Sequence, residues 1–242
     1  MRTSVCRIAA VVFFLGVSVI GSAAPNITSI QNAGSNIPTG QPIGLGAIFV
    51  IKGTGLGPKD LTIAPAPFQT TSLAGTSVKV TVGTTSVDAP LYYTSDTQIA
   101  ALLPSNTPTG SGTFTVTYNG DSRNGGHGIG TNTLGIFTID STGNGPGIVT
   151  YADYSLVSAV KATPCGGPNT SCGAANPGDT LILWATGLGP VSGDETHGAG
   201  LGQDMPNLQV NIFVGGAKAG RLYTGRSGCC AIRAFSATSS IP

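Results

Sequence analysis

The pentapeptide TGLGP stands at Thr54–Pro58 and again at Thr186–Pro190, 132 positions further on. Each copy follows an apolar run: AIFVI (Ala47–Ile51) before the first and TLILW (Thr180–Trp184) before the second. Val82-Gly83 recurs as Val214-Gly215 at the same offset, and Leu91-Tyr92 maps onto Leu222-Tyr223 one residue short of it. A repeat conserved in order, spacing and residue type requires two units of one architecture. A catalytic loop is seldom needed twice, whereas a structural corner is needed once per unit. Gly55, Gly57 and Pro58, with Gly187, Gly189 and Pro190, are therefore read as structural turns. Glycine supplies backbone angles that other residues resist, and proline stops strand pairing.

Between these corners the chain alternates short β-like runs with turn clusters. TSVKVTV (Thr76–Val82) puts Val78, Val80 and Val82 on one face, and GTFTVTY (Gly112–Tyr118) does the same with Phe114, Val116 and Tyr118. Gln98–Leu103 is a short apolar run ended by Pro104, and Leu134–Ile139 is read as closing the first set. Charged residues are only 9% of the chain while Gly (37) and Pro (16) make up about a fifth of it, which favours strands and turns over helices. The expected fold is all-β: two tandem Ig-like sandwiches, residues 25–140 and 141–242, joined near the Gly-rich Asp140–Gly147.

Residues 1–24 read as a secretory signal peptide. Arg2 and Arg7 precede the apolar Ile8–Ile20, and Gly21-Ser22-Ala23-Ala24 offers small residues for cleavage. The apolar run is short for a membrane span, so a secreted or periplasmic mature chain without a span is expected. Loss of Arg2 and Arg7 takes the net charge from +1 to −1, with no basic cluster for nucleic acid. Four cysteines then remain: Cys165, Cys172, Cys229 and Cys230. Export makes all four disulfide candidates, with three connectivities open. Their spacing does not make a zinc site.

The two units end differently. The first continues for nearly fifty residues past Leu91-Tyr92, but only nineteen follow Tyr223. The tail AIRAFSATSSIP lacks the alternation of GTFTVTY, so the second sandwich is expected to lack its last strands. Three explanations stand open: truncation or a frame shift near Cys230, a smaller variant of the unit, or completion by a partner strand.

The order NAGSN…GLGAIFVIKGTGLGP…LAGTSVKVTVGTTSVDAPLYYTSDTQIAALLP…FTVTYNG resembles a secreted bacterial family, the uncharacterised C-terminal domain found in many copies in Solibacter-type acidobacteria. That family is similar in turn to IPT/TIG immunoglobulin-like domains. Leu73–Val78, Ala89-Pro90-Leu91 and Ser95–Ile99 carry the likeness; Ala100 stands where Asn is common, and IRAFSATSSIP departs from the family pattern after Gly225–Ala231. The resemblance implies an Ig-like fold and export, and brings no catalytic site.

Catalytic chemistry finds little to build on. His127 (GGHGIG) and His197 (DETHGAG) lie in Gly-rich stretches read as loops, outside any metal or nucleophile motif. Gly125, Gly128 and Gly130 are followed by a β-like segment rather than a helix, so a hairpin loop is expected instead of a phosphate cradle. Asp194, Glu195, His197 and Asp204 make a candidate ligand loop without calcium-motif spacing. The aromatics to watch for a sugar platform are Tyr92, Tyr93, Tyr151, Tyr154, Tyr223 and Trp184, the last expected in the core of its strand. No enzyme and no cofactor is expected. The function read from the sequence is a non-catalytic exported Ig-like module for surface, adhesion or scaffold roles, with a protein or polysaccharide partner at the cell surface. The alternative is an extracellular polysaccharide-binding module, and a secreted hydrolase ranks below both.

Overall fold

The computed structural model describes residues 24–37, 40–66, 68–158, 173–176, 178–192, 203–205, 207–214, 216–227 and 230–236. The expected signal peptide lies outside them apart from Ala24. The first eleven strands are β1 (Asn26–Asn32), β2 (Ile43–Gly44), β3 (Ile48–Thr54), β4 (Thr62–Ile63), β5 (Ser72–Leu73) and β6 (Thr76–Val82), then β7 (Thr85–Asp88), β8 (Leu91–Thr94), β9 (Gln98–Leu102), β10 (Gly110–Tyr118) and β11 (Asp121–Gly130). They make two sheets. One has the order β1-β3-β9-β8-β4; the other has β2-β11-β10-β6-β5, with β7 also on β6.

Period-two alternation decides which residues fill the space between the sheets. Phe49, Ile51, Leu91, Ile99 and Ala101 come from the first sheet, and Val78, Val80, Phe114, Val116 and Ile129 from the second. Phe49 and Phe114 meet edge to face, ring centroids 5.2 Å apart. Each such fully buried side chain contributes about 1.5–3 kcal/mol relative to exposure.

The stretch around GGHGIG is not a loop. It is β11, paired with β10 from Asp121 to Ile129, with His127 opposite Gly112. Strands are normally poor in glycine, which is why the sequence reads otherwise. Packing across the sandwich explains the glycine: a Cβ at Gly125 would lie 3.1 Å from Ile30 Cδ1 and 3.2 Å from Ile27 Cγ2, both on β1.

The chain continues through β12 (Gly135–Ile136), β13 (Val149–Tyr151), β14 (Thr180–Thr186), β15 (Gln203–Asp204), β16 (Phe213–Val214), β17 (Ala217–Lys218), β18 (Gly220–Ser227) and β19 (Cys230–Ser236). A third sheet has the order β12-β14-β19-β18-β15, with β13 also on β14, while β16 and β17 form a separate hairpin. Gly135 and Ile136 pair with β14, so Leu134–Ile139 does not close the first set; strand pairing changes hands ahead of residue 140. Asp140–Gly147 is a hydrogen-bonded loop between β12 and β13. The Asp140 carboxylate accepts from the Thr142 amide and hydroxyl, which holds its pKa below the usual value.

The third sheet follows the order of the first. Ile48 pairs with Leu102, and Thr180, 132 positions on, pairs with Ser236. Val82 faces Thr85, and Val214 faces Ala217. A bulge falls between Leu91 and Tyr93 in β8 and between Arg221 and Tyr223 in β18. The bulges set the alignment one residue away from the expected one: Tyr93-Thr94 corresponds to Tyr223-Thr224, and Thr94 and Thr224 are both buried. The tail expected to lack strand character forms β19, between β14 and β18, where QIAAL sits in the first sheet. Alternation does not reveal it because its pairing with β14 and β18 is what makes it a strand.

The two TGLGP corners have different neighbours. In the first, Gly55 (φ 67°) turns the chain and its amide donates to Asp96 Oδ1, while Leu56 enters the core. Gly57 is needed for close approach, since a Cβ there would lie 2.2 Å from Thr94 Oγ1. In the second, Gly187 (φ 85°) and Gly189 (φ 119°) turn the chain against the end of the first sandwich. The Thr133 amide donates to Gly187 O (3.0 Å), and the buried Ile48 amide donates to Thr186 Oγ1 (2.8 Å). Asn32 Nδ2 reaches Thr133 O, and Asn36 Nδ2 reaches Ser141 O, completing the junction.

Candidate ligand groove on the outer sheet face

A strand covered on one face alternates, but AIFVI is apolar at every position. Phe49 and Ile51 point into the core. Ile48 and Val50 point the other way and form the floor of a groove of about 600 Å³, with Lys52 at one end. Ala100 of β9 continues the floor, and the floor is well covered: Val50 is 5% exposed and Ala100 3%.

The bulge in β8 builds the wall. Two residues on a bulged strand oppose one on its partner, so consecutive side chains can serve the same face. Leu91 and Thr94 are buried towards the core, while Tyr92 and Tyr93 both line the groove. Phe68, held at φ 61° in a turn closed by its amide on Pro65 O, packs its ring against Tyr92 with centroids 4.9 Å apart. Phe137 and Ser141, from the segment following the first sandwich, close the far end beside Ala33 and Asn36.

Polarity is uneven along the groove. At one end Lys52 pairs across strands with Gln98, whose amide donates to the Tyr93 hydroxyl. Burial raises the Tyr93 pKa above the ordinary phenol value, and the Gln98 hydrogen bond offsets part of that rise. Lys52 is exposed. At the other end the Asn36 amide is engaged, donating to Ser141 O and accepting from Gln31 Nε2.

The residues singled out from the sequence lie elsewhere, apart from Tyr92 and Tyr93. Asp194, Glu195 and His197 are outside the described residues, so only Asp204 of that loop can be placed. It is exposed in β15, with its carboxylate accepting from the Thr224 amide. Cys165, Cys172 and Cys229 are likewise outside them, and Cys230 begins β19. His127 is half-buried, and its Nε2 donates to Gln41 O. Trp184 is not a core residue. It is half-buried, its indole N–H donates to Thr150 Oγ1, and its ring meets exposed Tyr154 at 6.0 Å. The alternation of β14 explains this: Leu181 and Leu183 join the apolar cluster, which turns Trp184 to the opposite face, at the position of Lys52 in β3. Tyr151 and Tyr223 are half-buried, and burial raises the pKa of both.

Lys52, Phe68, Gln98 and Phe137 were not singled out from the sequence. The available signal was the unbroken apolarity of AIFVI, which implies something covering both faces of that strand. Among the described residues, no three of His, Cys, Asp and Glu are grouped to hold a metal ion. Among them too, no helix is long and apolar enough to cross a membrane.

No curated protein and no solved structure matches this chain. Residues 25–133 match the family model of the IPT/TIG domain. That span holds β1 to β11 and both facing sheets. Residues 25–133 thus form an all-β sandwich of two facing sheets that is similar to the IPT/TIG Ig-like domain.

Proposed function

We propose that the chain is an exported, non-catalytic scaffold or adhesion component built from two tandem Ig-like units of the Solibacter-type secreted family. The observation that carries the reading is the junction. The second TGLGP corner is hydrogen-bonded into the end of the first sandwich through Thr186, Gly187, Thr133 and Asn32. Close glycine contacts reinforce it, since a Cβ at Gly34 would lie 2.3 Å from Gly135 O. A junction held this way keeps successive modules in register, as a spacer requires. The shared strand order and register of the first and third sheets support the tandem reading. Arg2, Arg7 and the apolar Ile8–Ile20 support export.

The test is expression of the full chain in a Gram-negative host, followed by fractionation and N-terminal sequencing. The expected product is outside the cytoplasm and begins just after Ala23 or Ala24. A cytoplasmic product retaining the leader contradicts export.

A second reading, polysaccharide binding, is favoured by the exposure of Tyr154 beside half-buried Trp184. Their rings are tilted by 43°, offering two facets to a sugar rather than one plane. Retention on insoluble cellulose or chitin that is lost in Trp184→Ala would select this reading over the scaffold role.

A further inference from the structure

We propose that the groove over β3, β9 and β8 binds a small amphiphilic carboxylate, its apolar body along Ile48 and Val50 and its head on Lys52. The volume, about 600 Å³, falls in the range of small-molecule sites, about 300–1,000 Å³. From Ile48 to Lys52 the extended strand takes four residue steps, about 13 Å. Over that length the lining passes from Ile48 and Phe137 to the polar group of Lys52, Gln98 and Tyr93.

Charge selects the head group. Among the described residues, Lys52 is the charged side chain lining the groove, and no carboxylate faces it there. The contact made by Thr28 Oγ1 is to the Lys52 carbonyl, not to its ammonium, and the Lys79–Asp88 ion pair lies in the other sheet. An anion on Lys52 therefore gains a charge-assisted bond without breaking an ion pair seen in the structure.

The apolar lining selects the body. A sugar needs many free hydrogen-bonding groups, yet the Asn36 amide is engaged at both its atoms and the Gln98 amide is turned to Tyr93. An alkyl or aryl body needs only Val50, Ala100, Tyr92 and Phe68. The position also fits, because the groove lies where the first sandwich meets the following segment, and small-molecule sites favour such boundaries.

The experiment is titration calorimetry on the purified full chain with decanoate below its self-association concentration. Decyltrimethylammonium and a soluble β-glucan oligosaccharide serve as comparison ligands. Saturable decanoate binding is expected, weakened about tenfold in Lys52→Gln and retained in Lys52→Arg. Neither comparison ligand is expected to bind there. Lys52 is exposed, so Lys52→Gln should unfold at the parent urea concentration, and that is checked alongside. Absence of decanoate binding overturns the proposal. Equal binding of the cationic surfactant, unchanged affinity in Lys52→Gln, or binding of the oligosaccharide in place of decanoate overturns it as well.

Discussion

The same substitution made in the two TGLGP corners should have very different consequences. Thr54 and Thr186 each end the strand before the corner, yet Thr54 is exposed and Thr186 is 1% exposed. Thr186 Oγ1 accepts the Ile48 amide at 2.8 Å, in a buried setting. Valine has nearly the shape of threonine, so Thr186→Val opens no cavity; it removes the acceptor and leaves a buried N–H unpaired. That costs about 1–3 kcal/mol, and we take about 2 kcal/mol as the working value. Thr54→Val leaves its hydroxyl's place to water and should stay within about 0.5 kcal/mol of the parent. With a urea slope of about 2 kcal/mol per molar, Thr186→Val should lower the unfolding midpoint by about 1 M. Trp184 is the chain's one tryptophan, two residues from Thr186, so its fluorescence reports unfolding around β14. Thr186→Ser keeps the oxygen and should recover most of the loss. An unfolding free energy for Thr186→Val within about 0.5 kcal/mol (roughly the noise of a surface substitution) of the parent would refute the reasoning, as would an equal loss in Thr54→Val.

Two further outcomes follow from the geometry. Gly57→Ala brings a Cβ to 2.2 Å from Thr94 Oγ1 and disturbs the buried Thr94–Thr76 hydroxyl pair, so stability should fall by about 2 kcal/mol; calorimetry should show the first sandwich melting about 10 °C lower. The Tyr93 pKa is raised in the folded state, so its contribution to stability is full below the unfolded phenol pKa and lost as pH rises through the folded one. Ultraviolet titration should show a late-titrating phenol that disappears in Tyr93→Phe and shifts higher still in Gln98→Ala, which removes the offsetting hydrogen bond.

The strands legible in the sequence were those with one wet face or an unbroken apolar run. TSVKVTV, GTFTVTY, AIFVI, QIAAL and TLILW all form strands near the expected bounds. The illegible ones broke the same rule for identifiable reasons. The glycines of β11 serve the isoleucines of β1, which are about a hundred residues away in the chain, so no local pattern announces them. AIRAFS lies between two other strands, and its pairing partners rather than its alternation make it a strand. The groove was half legible. Tyr92 and Tyr93 stood out as aromatics, but two adjacent residues share a face only because β8 is bulged there.

The sequence by itself determined the class of fold, because alternation and turn residues are local properties of a chain. Tertiary structure decided what each repeat does. TGLGP turns the chain in both places, but only its second copy locks one sandwich to the sheet that follows. Position 52 and its counterpart 184 share an outward face, but one presents a cation to a groove and the other an indole to a tyrosine. A backbone corner is written in a few neighbouring residues, whereas a contact depends on which distant groups the fold brings opposite it.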